Sequence, residues 1–432
     1  MKKEVLTMKK KFLLVIYVLA MLCLLSGCMA VSGPKLESMF GNPKDETQAA
    51  GSVSSTDYDT VTISREEYES LERLAKFSNL ADIYEIAQEE FYFSLDTDKM
   101  LEYAAKGMMA GMEDPYSFYY SKQEYDEMQA DDEGKYVGIG VLIMTNQKTG
   151  ICTISRVFKG SPAEEAGVLR GDILYRVGED LSVNAETINE AVNIMRGEPG
   201  TNVDVTFLRN DEEITFTIER RAIQTNQVES TLLEPGIGYI AMYQFAGEAD
   251  TEFCTALDEL VAQDIKALII DLRDNSGGWV AQARNIADLF MDRGDLCILV
   301  DKNGNEKHYY PTMDGKTDVQ ITILVNEMSA SSSEILTGAL RDCAGATVVG
   351  TQTFGKGIVQ DVIQLEDGSG FQMTIAEYLT PNRNKVHEVG ITPDVIVERP
   401  EDDSGTYDFA DLEKDIQLKK ALEVTREKLR TP

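Results

Sequence analysis

The chain has 432 residues and is 43% apolar, enough for two or three domains with cores of their own, which excludes a disordered protein. Its 41 Lys and Arg stand against 74 Asp and Glu, a formal charge of -33. So acidic a surface repels phosphate backbones and excludes nucleic acid as the main partner.

The chain opens with MKKEVLTMKKK, a mostly basic stretch, followed by the apolar run FLLVIYVLAMLCLL and then LSGC at 25–28. That run of 14 residues is short of the roughly 20 that a bilayer span needs, so residues 1–28 read as an export signal. A Leu, two small residues and a Cys form the pattern of a bacterial lipobox, in which Cys28 takes a diacylglycerol. An uncleaved anchor and ordinary cleavage are the alternatives. Lipid or anchor would hold the protein on the extracytoplasmic face of a bacterial membrane. Residues 29–60 are small, polar and aperiodic, the composition of a tether.

Residues 61–133 read as a helical region. SREEYESLERLAKF starts with Ser64 and carries Glu67 three places on, a capping box, and apolar residues recur at three and four spacing to Met112. This face is wide enough to pair with a second copy of the chain. DPYS (114–117) interrupts the run, and a short helix through Met128 follows. From Gly134 the texture becomes short strands: YVGIGVLIM, ICTISRVF, DILYRVGE, NVDVTFLR and EITFTIER, with a helical segment before the fourth. They define a β-rich domain over 134–222. Over 223–400 strands alternate with helices, the signature of an α/β domain with a mostly parallel sheet. Residues 401–432 end in an amphipathic helix. Cys152, Cys254, Cys297 and Cys343 are widely spaced with no CxxC, so a zinc site is not expected, and the spacing leaves disulfides and free thiols both open.

KYVGIGVLI followed by SPAEEAGVLRGDILYRVGE resembles a PDZ domain. In Tyr136, Val137, Gly138, Ile139 and Gly140 the two glycines allow the backbone to turn its amides toward a ligand. A terminal carboxylate can then be caught while the peptide adds a strand to the sheet edge.

Three motifs lie in the α/β region: DLRDNSGG (271–278), NEMSASSSE (326–334) and TFGKGIVQ (353–360). A serine nucleophile needs an adjacent base, and His308 and His387, the two histidines of the chain, sit in no recognisable triad motif. A buried, neutral lysine is the remaining candidate, and FGKGIV is apolar enough to bury one. Taken singly each residue has a plainer reading: Ser331 with Glu334 fits a helix cap, Lys356 an exposed turn, Gln360 a polar strand position. In order and spacing together, with KGMMAGMEDPYSFYY before and GITPDVIVE after, the motifs resemble the carboxy-terminal processing proteases of peptidase family S41.

The resemblance implies a ClpP/crotonase-like α/β protease core with an inserted PDZ domain and a helical N-terminal region. It implies Ser331 as nucleophile, Lys356 as base, Gln360 orienting that lysine, and the amides of Gly277 and Ser332 as oxyanion hole. No cofactor or metal is implied; the partners are proteins or peptides with free, apolar C-termini. Three positions depart from the family pattern: Ser276 stands where Pro is usual, Ser332 where a smaller residue is common, and Trp279 where an aliphatic side chain is usual, narrowing the pocket. The expected function is an exported endopeptidase, with a catalytically inactive PDZ scaffold as the alternative; retention of Ser331, Lys356 and Gln360 argues against the scaffold.

Overall fold

The computed structural model describes residues 62–145, 149–311, 317–398 and 415–430. The export segment, Cys28 and the tether lie outside them. The described residues fall into two units, divided after Ile83.

In the first unit α1 (Arg65–Leu74) begins at the expected capping box: Glu67 N–H donates to Ser64 Oγ (3.1 Å) and Ser64 N–H to Glu67 Oε2 (2.7 Å). Leu71, Leu74, Phe77 and Leu80 on this segment are exposed. The next helix, α2 (Ser78–Glu90), runs across the division.

The second unit continues with α3 (Thr97–Ala110), capped by Asp96, then β1 (Phe118–Tyr120) and α4 (Lys122–Asp132). The turn between α3 and β1 is fixed by Asp114, which accepts the Tyr116 amide (3.1 Å) and the Ser117 hydroxyl (2.5 Å).

The β-rich domain follows as β2 (Lys135–Gly138), β3 (Val141–Thr145), β4 (Cys152–Val157), α5 (Pro162–Ala166), β5 (Ile173–Val177), β6 (Leu181–Ser182), α6 (Ile188–Met195), β7 (Asn202–Arg209), β8 (Glu212–Glu219) and β9 (Arg221–Gln224). YVGIGVLIM, read from sequence as one strand, is broken in two. Gly140 takes φ +88°, and a Cβ there would lie 2.2 Å from that of Ser161, so only glycine fits. The sheet order is β3-β4-β5-β7-β8, with β3 at an edge, around buried Ile154, Leu174, Val205 and Phe207. The ribbon of β2 and β9 lies outside this sheet; at its base Thr225 N–H donates to Gly134 O (2.9 Å), so the chain enters and leaves the domain side by side.

The remaining elements are β10 (Val228–Glu234), β11 (Ile237–Met242), α7 (Ala249–Val261), β12 (Ala267–Asp271), α8 (Val280–Ala287), β13 (Cys297–Asp301), β14 (Glu306–Tyr309), β15 (Gln320–Val325), α9 (Ser332–Ala344), β16 (Thr347–Gly350), β17 (Ile358–Gln364), β18 (Gly370–Leu379), β19 (Val395–Ile396) and α10 (Ile416–Arg430). A six-stranded sheet runs β10-β11-β12-β15-β16-β19, parallel from β11 onward. Leu257, Ile286 and Leu336 of α7, α8 and α9 cluster with Ile240, Ile270 and Ile323, while Leu418 and Leu422 of α10 cluster with Tyr239, Ile269 and Leu324. Both faces are therefore covered, which is why these strands read as continuous apolar runs. A second, antiparallel sheet was not foreseen: β18 pairs with β17 along one edge and with β1 and then β13 along the other, and β14 extends it.

Where β12 ends, the side chain of Arg273 is fully buried between Asp271 (2.5 Å) and Asp415 (2.8 Å), the residue just before α10. Tyr239 donates its hydroxyl to Asp271 (2.7 Å), extending this buried polar network. The cysteines Cys152, Cys254, Cys297 and Cys343 are free thiols.

Candidate active site

The strands β12, β15 and β16 are adjacent and parallel, so the three motifs that follow them leave from the same edge of the sheet. In open α/β sheets that carboxyl edge is where ligand sites form.

Four serines compete in NEMSASSSE, and three have their hydroxyls committed. Ser329 donates to Leu272 O (2.8 Å), Ser332 to Gly278 O (2.7 Å) and Ser333 to Asn275 O (2.8 Å). These bonds fasten the start of α9 to the DLRDNSGG loop. Among the described residues Ser331 is the one of the four whose hydroxyl donates to no carbonyl. It holds φ 53°, ψ -116°, a conformation that an L-residue rarely adopts and that marks strain at functional positions.

Gly277 lies directly against this turn. A Cβ on it would meet Ala330 O at 2.8 Å, Ser331 Cβ at 2.9 Å and the Ser332 nitrogen at 3.0 Å, with φ +103°. Its own N–H donates to Asn275 Oδ1 (2.9 Å), while the Ser332 amide, in the first turn of α9, has no acceptor among the described residues. Of the two expected oxyanion donors, only Ser332 is unengaged here. Asn275 is fully buried and braces the loop further by donating from Nδ2 to Met242 O (2.8 Å).

Lys356 is brought to the same place by Glu334. This carboxylate is fully buried; Oε1 accepts the Thr353 hydroxyl (2.5 Å) and the Gly355 amide (2.8 Å), and Oε2 the amides of Ser331 (2.9 Å) and Lys356 (2.9 Å). Burial pushes its pKa above the ordinary 4.5, and the four hydrogen bonds oppose that rise. The glycines flanking Lys356 let the turn seat against residues 386–390: a Cβ on Gly357 would fall 2.0 Å from the His387 nitrogen.

The Lys356 ammonium lies over the ring of Tyr116, with Nζ 4.7 Å from its centroid, and among the described residues it forms no hydrogen bond to Ser331. Burial lowers the lysine pKa from 10.5, and the charge of Asp114 opposes the shift. Gln360 does not bond the lysine in this structure. Its Nε2 donates across the β17–β18 pair to Thr374 Oγ1 (3.2 Å), whose amide in turn donates to Ser117 Oγ (3.0 Å).

In the β-rich domain a cavity of about 630 Å³ runs from the Tyr136–Gly140 loop along edge strand β3 and α6. Among the described residues the amides of Ile139 and Gly140 make no hydrogen bond. The far wall of the cavity belongs to the core: Tyr243 and Gln244, which follow β11, and Asp274 and Ser276 of the DLRDNSGG loop. Arg156 bridges the two, stacked 3.8 Å over Tyr243 and paired with Glu229 (3.1 Å).

Sequence reasoning missed Glu334, Asn275 and Tyr116 as site residues. The capping-box spacing flagged Glu334, but as a cap; nothing local distinguishes Asn275; and Tyr116 was seen only inside the DPYS motif.

A model of Peptidase family S41 matches residues 236–397, one of the Activating protease CtpB N-terminal domain 43–124, and one of the PDZ domain 153–209. Carboxy-terminal processing protease CtpB of Bacillus subtilis (strain 168) is 32% identical over 336 residues, 76% of this chain and 69% of that protein. A CtpA-like serine protease of Staphylococcus aureus (strain MSSA476) is 33% identical over 329 residues, 76% of this chain and 66% of that protein. The chain thus spans about two thirds of the length of the curated relatives it matches. Among solved structures the photosystem II D1 C-terminal processing protease aligns with TM-score 0.50 and 26% identity over 78% of this chain and 94% of that one. An S41 protease from Bacteroides fragilis, 15% identical, shares the fold at TM-score 0.53 over 78% of this chain and 92% of its own.

Proposed function

Because the chain belongs to the carboxy-terminal processing proteases of peptidase family S41, we propose that it is a serine endopeptidase that captures protein C-terminal tails in its PDZ groove. Ser331 is the nucleophile and Lys356 its base. Neutral Lys356 takes the Ser331 proton as Oγ attacks the scissile carbonyl; the oxyanion is met by the Ser332 amide and by the Gly277 amide once it is released from Asn275. The lysine then returns the proton to the leaving amine, and water hydrolyses the acyl-enzyme. Gln360 steadies the lysine once it has turned toward Ser331.

The observation that carries this reading is the Glu334 carboxylate, which binds the backbones of Ser331 and Lys356 together through one oxygen. The groove reading is supported by the free edge of β3 beside α6 and by the unbonded amides of Ile139 and Gly140. We further propose export and lipidation at Cys28, supported by the LSGC sequence, and pairing of two copies through the N-terminal helices, supported by exposed Leu71, Leu74 and Leu80.

The test uses the body from residue 60 onward with a peptide ending in an apolar residue, presented as free acid or as amide. Amidation removes a charge-assisted acceptor worth about 1.5–3 kcal/mol, so cleavage at low substrate concentration falls roughly tenfold or more. Equal cleavage of both forms rejects tail recognition; no cleavage of either, with no labelling of Ser331 by a fluorophosphonate, rejects the peptidase. Loss of detergent-phase partitioning in Cys28→Ala tests the anchor.

A further inference from the structure

We propose that Tyr116 is a positioning residue for the base: its ring holds the charged Lys356 side chain off Ser331 and releases it when the lysine loses its proton. This rests on the reading of Lys356 as base. The ring face carries a negative quadrupole that attracts an ammonium and has no such hold on a neutral amine. Nζ sits 4.7 Å from the Tyr116 centroid and makes no hydrogen bond among the described residues, so the ring and the Asp114 charge are the attractions that favour its charged form.

The ring is itself rigidly placed. Its residue lies in the Asp114 turn, Gln372 Nε2 donates to Tyr116 O (3.1 Å), and β1 continues onto β18. The residue reaches the site from outside the S41-matched span of 236–397, so the base is completed by the chain that precedes the PDZ domain.

The other charged or titratable groups around the lysine are few. Asp114 faces it from the same turn; burial disfavours its carboxylate, but bonds from Ser117, Thr374 and Tyr116 and the nearby His387 keep its pKa below the ordinary 3.8. His387 follows from the 386–390 segment, its Nδ1 buried without a hydrogen-bond partner among the described residues. Glu334 lies beneath, on the backbone of Lys356. Asp114 and the ring both favour the protonated lysine, against burial.

The decisive measurement is the pKa of Lys356 itself, read in the full chain carrying Ser331→Ala by reductive ¹³C-methylation and NMR, with Lys356→Arg identifying the resonance. Tyr116→Leu keeps the bulk and removes the quadrupole, so the pKa falls by about 0.4–1.5 units, the range of a cation–π contact. Tyr116→Phe keeps the ring and holds the wild-type value. In the Ser331-containing enzyme the acid limb of kcat/KM moves down by the same amount in Tyr116→Leu, which a purely structural role would not produce. An unchanged or raised Lys356 pKa in Tyr116→Leu overturns the proposal; if that variant does not fold, Tyr116→Met is read the same way. A fallen pKa in a chain with no peptidase activity keeps the placement of Tyr116 and discards the chemistry of Ser331.

Discussion

Glu334 Oε2 lies 2.9 Å from the amide nitrogen of Lys356 and, by the same distance, from that of Ser331. One buried carboxylate therefore sets the separation between two residues 25 positions apart in sequence. Glu334→Ala orphans three amides and a hydroxyl in a dry site, at about 1–3 kcal/mol each before water enters. The expected loss of unfolding free energy is about 3 kcal/mol or more in urea titration, with loss of fluorophosphonate labelling at Ser331. Glu334→Gln gives the pH dependence. Burial raises the carboxyl pKa above 4.5, so its contribution is fully present below that value and is lost as pH rises through the folded pKa. The stability of wild type relative to Glu334→Gln should therefore fall as pH rises above 4.5.

Ser331→Ala, Lys356→Ala and Lys356→Arg should each reduce peptide hydrolysis by about 10⁴-fold or more, since guanidinium does not deprotonate at usable pH. Lys356→Ala, which removes the charge, should not destabilise the fold. Burial lowers the lysine pKa below 10.5, so the charged side chain destabilises the fold at neutral pH, and this penalty fades as pH climbs from the folded value to 10.5. Lys356→Met should raise Tm near pH 7 by a few degrees and by progressively less in alkaline buffer; a lower Tm at pH 7 would contradict this account of the site.

Gly277→Ala places a methyl group 2.8 Å from Ala330 O and 2.9 Å from Ser331 Cβ in a backbone region closed to L-residues. The loop and the serine turn have to separate. The expected result is a fall in kcat of about a hundredfold or more, the scale of losing an oxyanion donor, measured with a peptide that does not engage the PDZ groove.

Asp415→Ala leaves the Arg273 guanidinium, whose side chain is fully buried, with one of its two carboxylate partners among the described residues. Breaking such a pair costs about 3–5 kcal/mol because the remaining charge stays dry. Thermal unfolding should show the loss, and Arg273→Met with Asp415→Leu should recover part of it.

The sequence points to the residues that gather at the candidate site better than to how they are held. The parallel core was legible because both faces of its strands are buried, which gives continuous apolar runs such as ALII in β12. The antiparallel sheet was not, because β18 is only partly buried and, beyond its hairpin partner β17, it pairs with β1 and β13 from distant stretches. The four serines of NEMSASSSE are locally alike; what separates Ser331 from Ser329, Ser332 and Ser333 is three carbonyls of a loop more than 50 residues earlier. Glu334 could be found by its spacing and not by its role, since the same residue spacing serves a helix cap and a two-motif clasp.

The ribbon that carries the PDZ domain has a further meaning. Gly138 and Arg221 are cross-strand partners at its tip, and Gly134 and Thr225 are bonded at its base. Everything between the tip residues can be regarded as a cassette plugged into a hairpin. A two-residue Asn-Gly turn joining Gly138 to Arg221 would close that hairpin with little loop entropy, and a PDZ domain of different tail preference could be spliced at the same junction. The core would then be reprogrammable in what it captures without any change to Ser331 or Lys356.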